Sequence, residues 1–434
     1  YITGIPVADI EKLAHEFGTI KPACIRLNYG LQRHGGGGMA VRTITCLPAL
    51  IGSWRLVGGG ALLSTSKLYP FDNAALERPD LIPPGTRTIN MNELPQALLG
   101  ELPGPPVRAL FIYNANPAAV NPDQGRVLLG LRRDDLFTVV HDQFQTDSAN
   151  YADVVLPATT QLEHFDLHGS YGHFHVQTNE PAIAPLGESK SNTDVFRLLA
   201  RRMNFEPDLF DVSDEDLAKQ ALGETESNGS SRFPFTLDRL RREGPLRLDL
   251  PKDHTPFATG NFPTRSGKCE LYSQSLADQG LDPLPTYTPP HEDPQTRPDL
   301  AGKYPLQMLS PPKPEFLNST FVNIDSLRRD AGGPTVEIHP DDAAPRGIEA
   351  GAWMRVFNDR GSYLARALVG AGVKRGVVVC LGTYWSRWTK DGANVNATTS
   401  TALTDFGGGA TFFDNLVEVA PLEARDSPDT PGIC

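Results

Sequence analysis

Glu163, His164, Asp166, His168, His173 and His175 place four imidazoles and two carboxylates in one short stretch, a set of ligands that could hold zinc or iron. The spacing argues otherwise. There is no H-E-x-x-H, and Gly169 and Gly172 interrupt any helix that would align the ligands on one face. The expected element is a polar, partly buried loop lining a cleft, with histidines able to move protons near neutral pH. The glycine runs at 35–38 and 58–60 match neither G-x-G-x-x-G nor a phosphate-binding loop ending in G-K-[ST]. A plain NAD site and an ordinary nucleotide-hydrolysing site therefore lack support. Arg33 and His34, beside the first run, tilt it toward an anionic group. No G-x-S-x-G elbow is present, so acyl-transfer hydrolysis has no nucleophile to start from. Two strings of amides and hydroxyls remain, Leu317-Asn318-Ser319-Thr320 and 394–400, both flanked by aromatic residues. Such strings are ordinarily turns, but two in one domain could recognise a heterocycle with many donors and acceptors.

These residues need elements to position them. Apolar residues at Ile10, Leu13, Ala14 and Phe17 predict an amphipathic helix over 7–18. A strand at 23–27 runs into the glycine turn, and a helix resumes at 39–50, the arrangement that points backbone N–H groups at a phosphate. Further strands are predicted at 107–113, 136–140 and 153–156. These runs are continuously apolar, as suits parallel strands buried on both faces, with helical patterns between them. The expected domain is therefore a doubly wound, mostly parallel α/β sheet, whose ligands sit beyond the carboxyl ends of the strands. Those ends carry Asn28, Asn114, Asn116, His141 and Asp142. A helix over 193–203 closes this region. From about 208 to 296 the chain reads as irregular. Short strands at 335–338, 353–358, 363–369, 377–381 and 415–419, separated by glycine turns, then predict a compact β-barrel. The domain plan is an α/β dinucleotide-binding domain over 1–207, a connecting segment over 208–300 and a C-terminal barrel over 301–434.

Bulk properties bound the function. The chain carries 40 Lys and Arg against 52 Asp and Glu, a net charge of -12, which argues against gripping a nucleic-acid backbone. No apolar run approaches the roughly 18 residues of a membrane span. Cys24, Cys46, Cys269, Cys380 and Cys434 are scattered with no C-x-x-C, so no local zinc or iron–sulfur site is expected, and a reducing, cytoplasmic setting is. Residue 1 is Tyr rather than Met, and the opening residues read as the run-in to a helix already inside a domain. From the residues alone, the ligand is large, polar and nucleotide-like, held between an α/β domain and a barrel.

The stretches YNANPAAVNPD (113–123), LFTVVHDQFQTDSANYADVVLPATTQLE (136–163), FPTRSGKCELYS (262–273) and VNATTSTALTDFGGGATFFDNLVEV (395–419) carry a resemblance. The chain resembles the molybdopterin oxidoreductases, which hold molybdenum or tungsten between two molybdopterin guanine dinucleotides and include formate dehydrogenases, nitrate reductases and dimethyl sulfoxide reductases. The resemblance implies that this is the C-terminal portion of such an enzyme, transferring two electrons or an oxygen atom, with a six-stranded double-psi barrel at its end. It places Asn28 and Gln32 at cofactor-binding positions around the glycine turn, Asn116 at the polar strand end, and His141 with Asp142 facing the guanosine. Asn192 matches a position usually held by Asp or a similar polar residue. Ser310, Asn318, Ser319 and Asn396 match positions that hydrogen-bond a pterin or its phosphates. The family's N-terminal cysteine cluster for a [4Fe–4S] centre and its metal-ligand segment have no counterpart in these residues, so no metal ligand is assigned. A small-molecule substrate and an electron-transfer partner subunit are implied. The competing class is a catalytically inactive cofactor-binding or assembly module of the same fold.

Overall fold

The computed structural model describes residues 2–224 and 232–422; most of the Gly/Ser/Glu-rich stretch at 223–231, and Cys434, lie outside them. Fourteen strands follow in chain order: β1 (Cys24–Arg26), β2 (Gly60–Leu62), β3 (Ala109–Tyr113), β4 (Phe137–Asp142), β5 (Val154–Pro157), β6 (Asp166–His168), β7 (His175–Asn179), β8 (Leu246–Arg247), β9 (Leu306–Leu309), β10 (Thr335–Ile338), β11 (Trp353–Phe357), β12 (Ser362–Val369), β13 (Val377–Cys380) and β14 (Leu416–Pro421). The chain divides into two compact units. One comprises Tyr1–Asn28, Thr43–Arg87 and Pro157–Ala277, the other Tyr29–Arg42, Thr88–Leu156 and Asp278–Cys434.

In the first unit β1 does not join the expected α/β sheet. It pairs in parallel with β2, Cys24 opposite Gly60 and Arg26 opposite Leu62. The second glycine run makes that pairing possible. Gly58 and Gly60 adopt positive φ of 78° and 101°, and a Cβ on Gly59 would lie 2.1 Å from the Ser53 carbonyl oxygen. The unit's main core contains Tyr69, Val176, Leu222, Phe233, Phe235, Leu237, Leu240 and Leu248. Much of it comes from the stretch read as irregular, through the helices Asp214–Leu222 and Leu237–Glu243. Both are short and locally specified. Ser213 caps the first, accepting from Asp216 N at 3.1 Å, and Gly223 ends it in the left-handed region; Thr236 caps the second.

The second unit contains the sheet β3-β4-β5 and a closed six-stranded barrel in the order β10-β12-β11-β14-β9-β13. β3 and β4 run parallel, Ala109 opposite Phe137 and Tyr113 opposite His141, which places both carboxyl ends on one edge. Their inner side chains, Ile112 and Val140, pack with Leu98, Val127 and Leu131. The helix Gln124–Leu131 approaches Leu98 so closely that a Cβ on Gly130 would sit 2.6 Å from the Leu98 Cβ. β5 is only lightly covered, so burial on both faces does not extend across this sheet. Alternating side chains fill the barrel: Leu306, Met308, Val336, Ile338, Met354, Val356, Ala365, Val378 and Val419 form one cluster. Five of its strands lie at the short runs read between glycine turns; β9 was not among them. Two of its neighbour pairs, β10 with β12 and β9 with β13, are parallel and the other four antiparallel. Cys46 and Cys380 are buried free thiols, and burial pushes the Cys380 thiol up to about 12.

A part-buried ion pair, its carboxylate buried and its guanidinium partly exposed, ties the mouth of the barrel. Arg360 makes a forked pair with Glu292, 2.7 and 2.9 Å, and also donates to the Thr398 carbonyl and to Asn415 Oδ1. Asn415, fully buried, in turn donates to Thr398 Oγ1 at 3.1 Å. Removing Glu292 leaves the part-buried guanidinium with only the Thr398 carbonyl and Asn415 Oδ1 as partners. Glu292→Ala should destabilise the chain by about 3–5 kcal/mol in a urea unfolding titration; a loss under about 1 kcal/mol would show the pair to be a surface interaction.

Candidate functional site

The edge where β3 and β4 end is polar because the chain turns there with its amides inward. Asn114 takes a positive φ of 52°, and Pro117 starts the short helix Pro117–Val120 immediately after Asn116. Asn116 is buried, and its Oδ1 accepts from the Ser148 amide at 3.0 Å and the Ser148 hydroxyl at 2.9 Å. That fixes the plane of the side-chain amide. Its Nδ2 is left buried with no hydrogen-bond partner.

His141, the last-but-one residue of β4, is 1% exposed. Its Nδ1 lies 3.2 Å from the Leu156 carbonyl oxygen, which sets the tautomer: Nδ1 carries the proton and donates. Nε2 is thereby a bare acceptor, and it too is buried without a partner. One unmet donor and one unmet acceptor thus leave the same sheet edge. Each costs about 1–3 kcal/mol while unpaired, a cost a ligand would remove.

Asp142 follows, half-buried, its Oδ1 accepting from Phe144 N at 3.2 Å. No helix starts at this residue; the bond closes a local turn. Burial raises its pKa above the ordinary carboxyl value, against the opposing effects of the Phe144 and Gln143 amides and of His141.

The loop beyond is held by residues that local sequence did not mark. Asp147 accepts from Ser386 N at 3.1 Å and from Ser386 Oγ at 2.6 Å, and burial raises its pKa as well. Beside it, Trp385 Nε1 donates 2.7 Å to the Ser319 carbonyl. Asn394 donates to the Ala119 and Tyr384 carbonyls at 3.1 Å each, and Asn396 Nδ2 donates to Ala119 O at 2.9 Å. The barrel loop bearing Asn396 is therefore bonded to the segment after Asn116, and the loop bearing Ser319 reaches the Asp142 loop only by way of Trp385 and Ser386. Asn396 is buried with its amide nitrogen engaged, and its Oδ1 accepts from Thr399 Oγ1 at 3.3 Å. Ser310 is half-buried directly after β9. Asn318 is exposed at a positive φ of 56°, in a two-residue turn closed by Leu317 and Thr320.

Gln32 lies in the glycine turn, its Oε1 accepting from Gly30 N at 2.8 Å. The turn presents backbone N–H groups to anions, as expected, but the anions are the protein's own. Gly38 N and Met39 N donate to the Asp405 carboxylate at 2.9 and 2.8 Å, and Gly35 N donates to Asp414 at 2.7 Å. The glycines serve close approach: a Cβ on Gly36 would lie 2.2 Å from the Thr288 carbonyl oxygen.

Asn28 and Asn192 belong to the first unit. Asn28 is exposed after β1; Asn192 is the first residue of the helix Asn192–Arg202, behind the capping hydroxyl of Ser191. The histidine-rich stretch, also in this unit, forms the β6–β7 hairpin rather than an open loop. His164 pairs with Thr159 Oγ1 at 2.8 Å, and His173 Nδ1 accepts from His175 N at 3.1 Å. Among the described residues no group of three or more His, Cys, Asp or Glu is placed to hold a metal ion. Glu163 accepts from Thr160 N and Leu186 N, which hold its carboxyl below the ordinary range. Among the described residues no helix is long and apolar enough to cross a membrane.

Comparison with known proteins extends this picture. Residues 13–202 match the family model for molybdopterin oxidoreductase, and residues 306–416 match that for the molydopterin (molybdopterin) dinucleotide binding domain. The chain is 42% identical over 419 residues to the probable oxidoreductase YoaE of Bacillus subtilis (strain 168), covering 96% of this chain and 59% of that protein. It is 30% identical over 461 residues to the dimethyl sulfoxide reductase DmsA of Escherichia coli (strain K12), covering 96% of this chain and 56% of that protein. Acetylene hydratase from Pelobacter acetylenicus shares the fold, with a TM-score of 0.76 at 23% identity over 96% of this chain and 63% of that one. The chain thus spans between half and three-fifths of the length of these curated relatives.

The raised pKa of Asp142 gives a stability signature. A folded-state value above 3.8 means the folded chain holds the proton more tightly than the unfolded chain does. The favourable contribution is present below 3.8 and disappears as pH rises through the folded value, leaving an ionised, half-buried carboxylate that costs stability at neutral pH. Asn keeps the Oδ1 that accepts from Phe144. Asp142→Asn should therefore raise the melting temperature of the ligand-free chain at pH 7, with the gain shrinking as pH falls toward 3.8. An equal or lower melting temperature at pH 7 would contradict the assignment.

Proposed function

The chain belongs to the molybdopterin oxidoreductase family, and on that premise we propose that it is the C-terminal portion of a molybdenum or tungsten oxidoreductase. Members of the family use a molybdopterin dinucleotide. That group, when bound, supplies two-electron or oxygen-atom transfer at its metal, and the protein positions it and tunes its surroundings. The name of one relative, a dimethyl sulfoxide reductase, favours oxygen-atom transfer with a small-molecule substrate; an electron-transfer partner subunit is part of the same proposal.

The observation that carries the proposal is the pair of orphaned polar atoms at the sheet edge, Asn116 Nδ2 and His141 Nε2. Their chemistry fits a guanosine. Asn116 Nδ2 would donate to a ring or sugar oxygen, and His141 Nε2, in the neutral tautomer whose Nδ1 donates to Leu156, would accept from an N–H or hydroxyl. The Asp142 carboxylate suits guanine, whose N1–H and exocyclic amine present two adjacent donors. Asp147 and Ser148 act from behind, fixing the loop on which Asp142 stands and the amide plane of Asn116.

On the barrel side, Ser310, Asn318 and Ser319 would meet the pterin or its phosphates. Asn396 would contribute chiefly by holding its loop on Ala119. Gln32 is a further proposed cofactor-binding residue of the second unit; Asn28 and Asn192, in the first unit, are proposed as cofactor-binding residues through their match to the family. The two parallel pairs of the closed barrel support a double-psi arrangement, and we retain 1–207, 208–300 and 301–434 as the functional division of the chain.

The test is retention of guanine nucleotide. Asp142→Ala leaves guanine donors unpaired, a loss of about 1–3 kcal/mol, and should weaken retention roughly 5- to 150-fold. Asp142→Asn should also be impaired, since an amide offers one acceptor and sets donors against donors. The nucleotide released on denaturing purified holoenzyme, measured per chain, reads both variants. Normal retention by Asp142→Asn would remove the guanine-binding role, leaving only the turn-closing bond to Phe144.

A further inference from the structure

Tyr384 and Trp385 are buried, and the stretch 384–388 that they open sends successive side chains into different segments of the second unit. Tyr384 fixes the stretch to the barrel. Its hydroxyl donates to the Gly332 and Gly333 carbonyls at 2.8 and 3.1 Å, and its own carbonyl accepts from Asn394 at 3.1 Å. Trp385 Nε1 donates to the Ser319 carbonyl at 2.7 Å. Ser386 turns the other way, to Asp147: its amide donates to both carboxylate oxygens at 3.1 Å and its hydroxyl to Oδ1 at 2.6 Å. Arg387 donates to the Gln145 carbonyl, and its guanidinium lies 5.4 Å from the Trp385 and Trp388 ring centroids. The two indoles pack at 5.1 Å, with the Arg328 guanidinium over Trp388 at 4.1 Å.

These links are stiff. An indole has few rotatable bonds, so a single N–H bond and packed neighbours fix it at low entropic cost. Asp147 is 2% exposed, and a carboxylate that far from water keeps its place only while its lone pairs are met. The loop 142–148 cannot leave Ser386 without stranding that carboxylate, and the turn 317–320 cannot leave Trp385 without breaking a buried bond. The loop carries Asp142 and, through Ser148, fixes the amide plane of Asn116. The turn carries Asn318 and Ser319. Two residues adjacent in the chain therefore hold both.

We propose that 385–387 is a positioning element that couples the two ends of the site, so that ordering the loop 142–148 orders the turn 317–320, and the reverse. The inference rests on the proposed function for its ligand: there the loop meets the guanosine end of a dinucleotide and the turn meets the pterin or its phosphates. Occupation of one end then prepares the other. Such coupling is reciprocal, and it needs no displacement, only a loss of freedom in one segment that passes to the next.

Amide hydrogen exchange, resolved by mass spectrometry, tests it with guanosine diphosphate as the probe. In the unaltered chain the nucleotide should slow exchange in 142–148, which it would touch, and by about fivefold or more in 317–320, which it would not. Trp385→Phe keeps an aromatic ring and loses the N–H bond to Ser319. In that variant the slowing should persist in 142–148 and vanish from 317–320. Without nucleotide the same variant should exchange faster in both segments, although the lost bond belongs to the turn alone. Ser386→Ala should do likewise, and Ser386→Thr, which keeps the hydroxyl, should behave as the unaltered chain does. Unchanged exchange at the buried strand residues Val356 and Val378 marks a variant as folded. No slowing of 142–148 by the nucleotide removes the guanosine reading and leaves the nucleotide-free comparison to decide the coupling. Slowing confined to 142–148 in the unaltered chain, or a Trp385→Phe effect confined to 317–320, overturns the proposal.

Discussion

A single buried carboxylate, Asp414, organises the second unit. It accepts hydrogen bonds from His34, Gly35 and His291, residues 380, 379 and 123 positions away in the chain. An ionised carboxylate removed from water needs its lone pairs met, and charge-assisted bonds meet them with more energy than neutral ones. The glycine turn, the segment before the barrel and the entry to the last barrel strand are therefore obliged to meet at one point. The absence of side chains at Gly35 and Gly36 follows from this, because a Cβ there would meet His291 and Asp414 or Thr288, while Gly37 and Gly38 are held by close approach to Gln32 and to Asp405 and Phe406.

The same economy separates the two kinds of polar group in this unit. Asp405, Asp414, Glu292 and Asn394 are each given two or more partners, and they hold loops in place. Asn116 Nδ2 and His141 Nε2 are given none, although each belongs to a side chain whose other polar atom is firmly bonded. Orientation without satisfaction distinguishes a binding group from a structural one. Burial without full compensation raises the pKa of Asp142, which places that carboxylate nearer the first kind despite its bond to Phe144.

Much of this was legible in the residues, and the failures have physical causes. Short runs spaced by glycine turns revealed five barrel strands. β9 escaped because its four residues run straight into Ser310-Pro311-Pro312, where turn chemistry dominates any window. His141 and Asp142 stood out as polar residues ending an apolar run. Asp147 did not, since its partner Ser386 is 239 positions away and nothing local marks it. The glycine run was read as a turn whose amides face a phosphate; those of Gly35, Gly38 and Met39 instead meet the protein's own carboxylates. What sequence could not show is that Asp405, 367 positions on from Gly38, supplies one of them. The helices around Phe233 and Phe235 were lost because short helices between polar segments have too few turns to show a period.

The interleaving of segments also bears on how the chain reaches its fold. The second unit draws on Tyr29–Arg42, Thr88–Leu156 and Asp278–Cys434, and the barrel closes only when β14 pairs with β9 and β11. A ribosome emits the glycine turn hundreds of residues before the carboxylate that locks it. Until then the early strands have apolar flanks and unpaired edges with no native partner to cover them, at a pace of about 5–20 residues per second. Such non-local closure is slow. Assembly of this unit therefore waits for its last barrel strand, and the nascent chain is one that a cell must shield from aggregation until that strand has emerged.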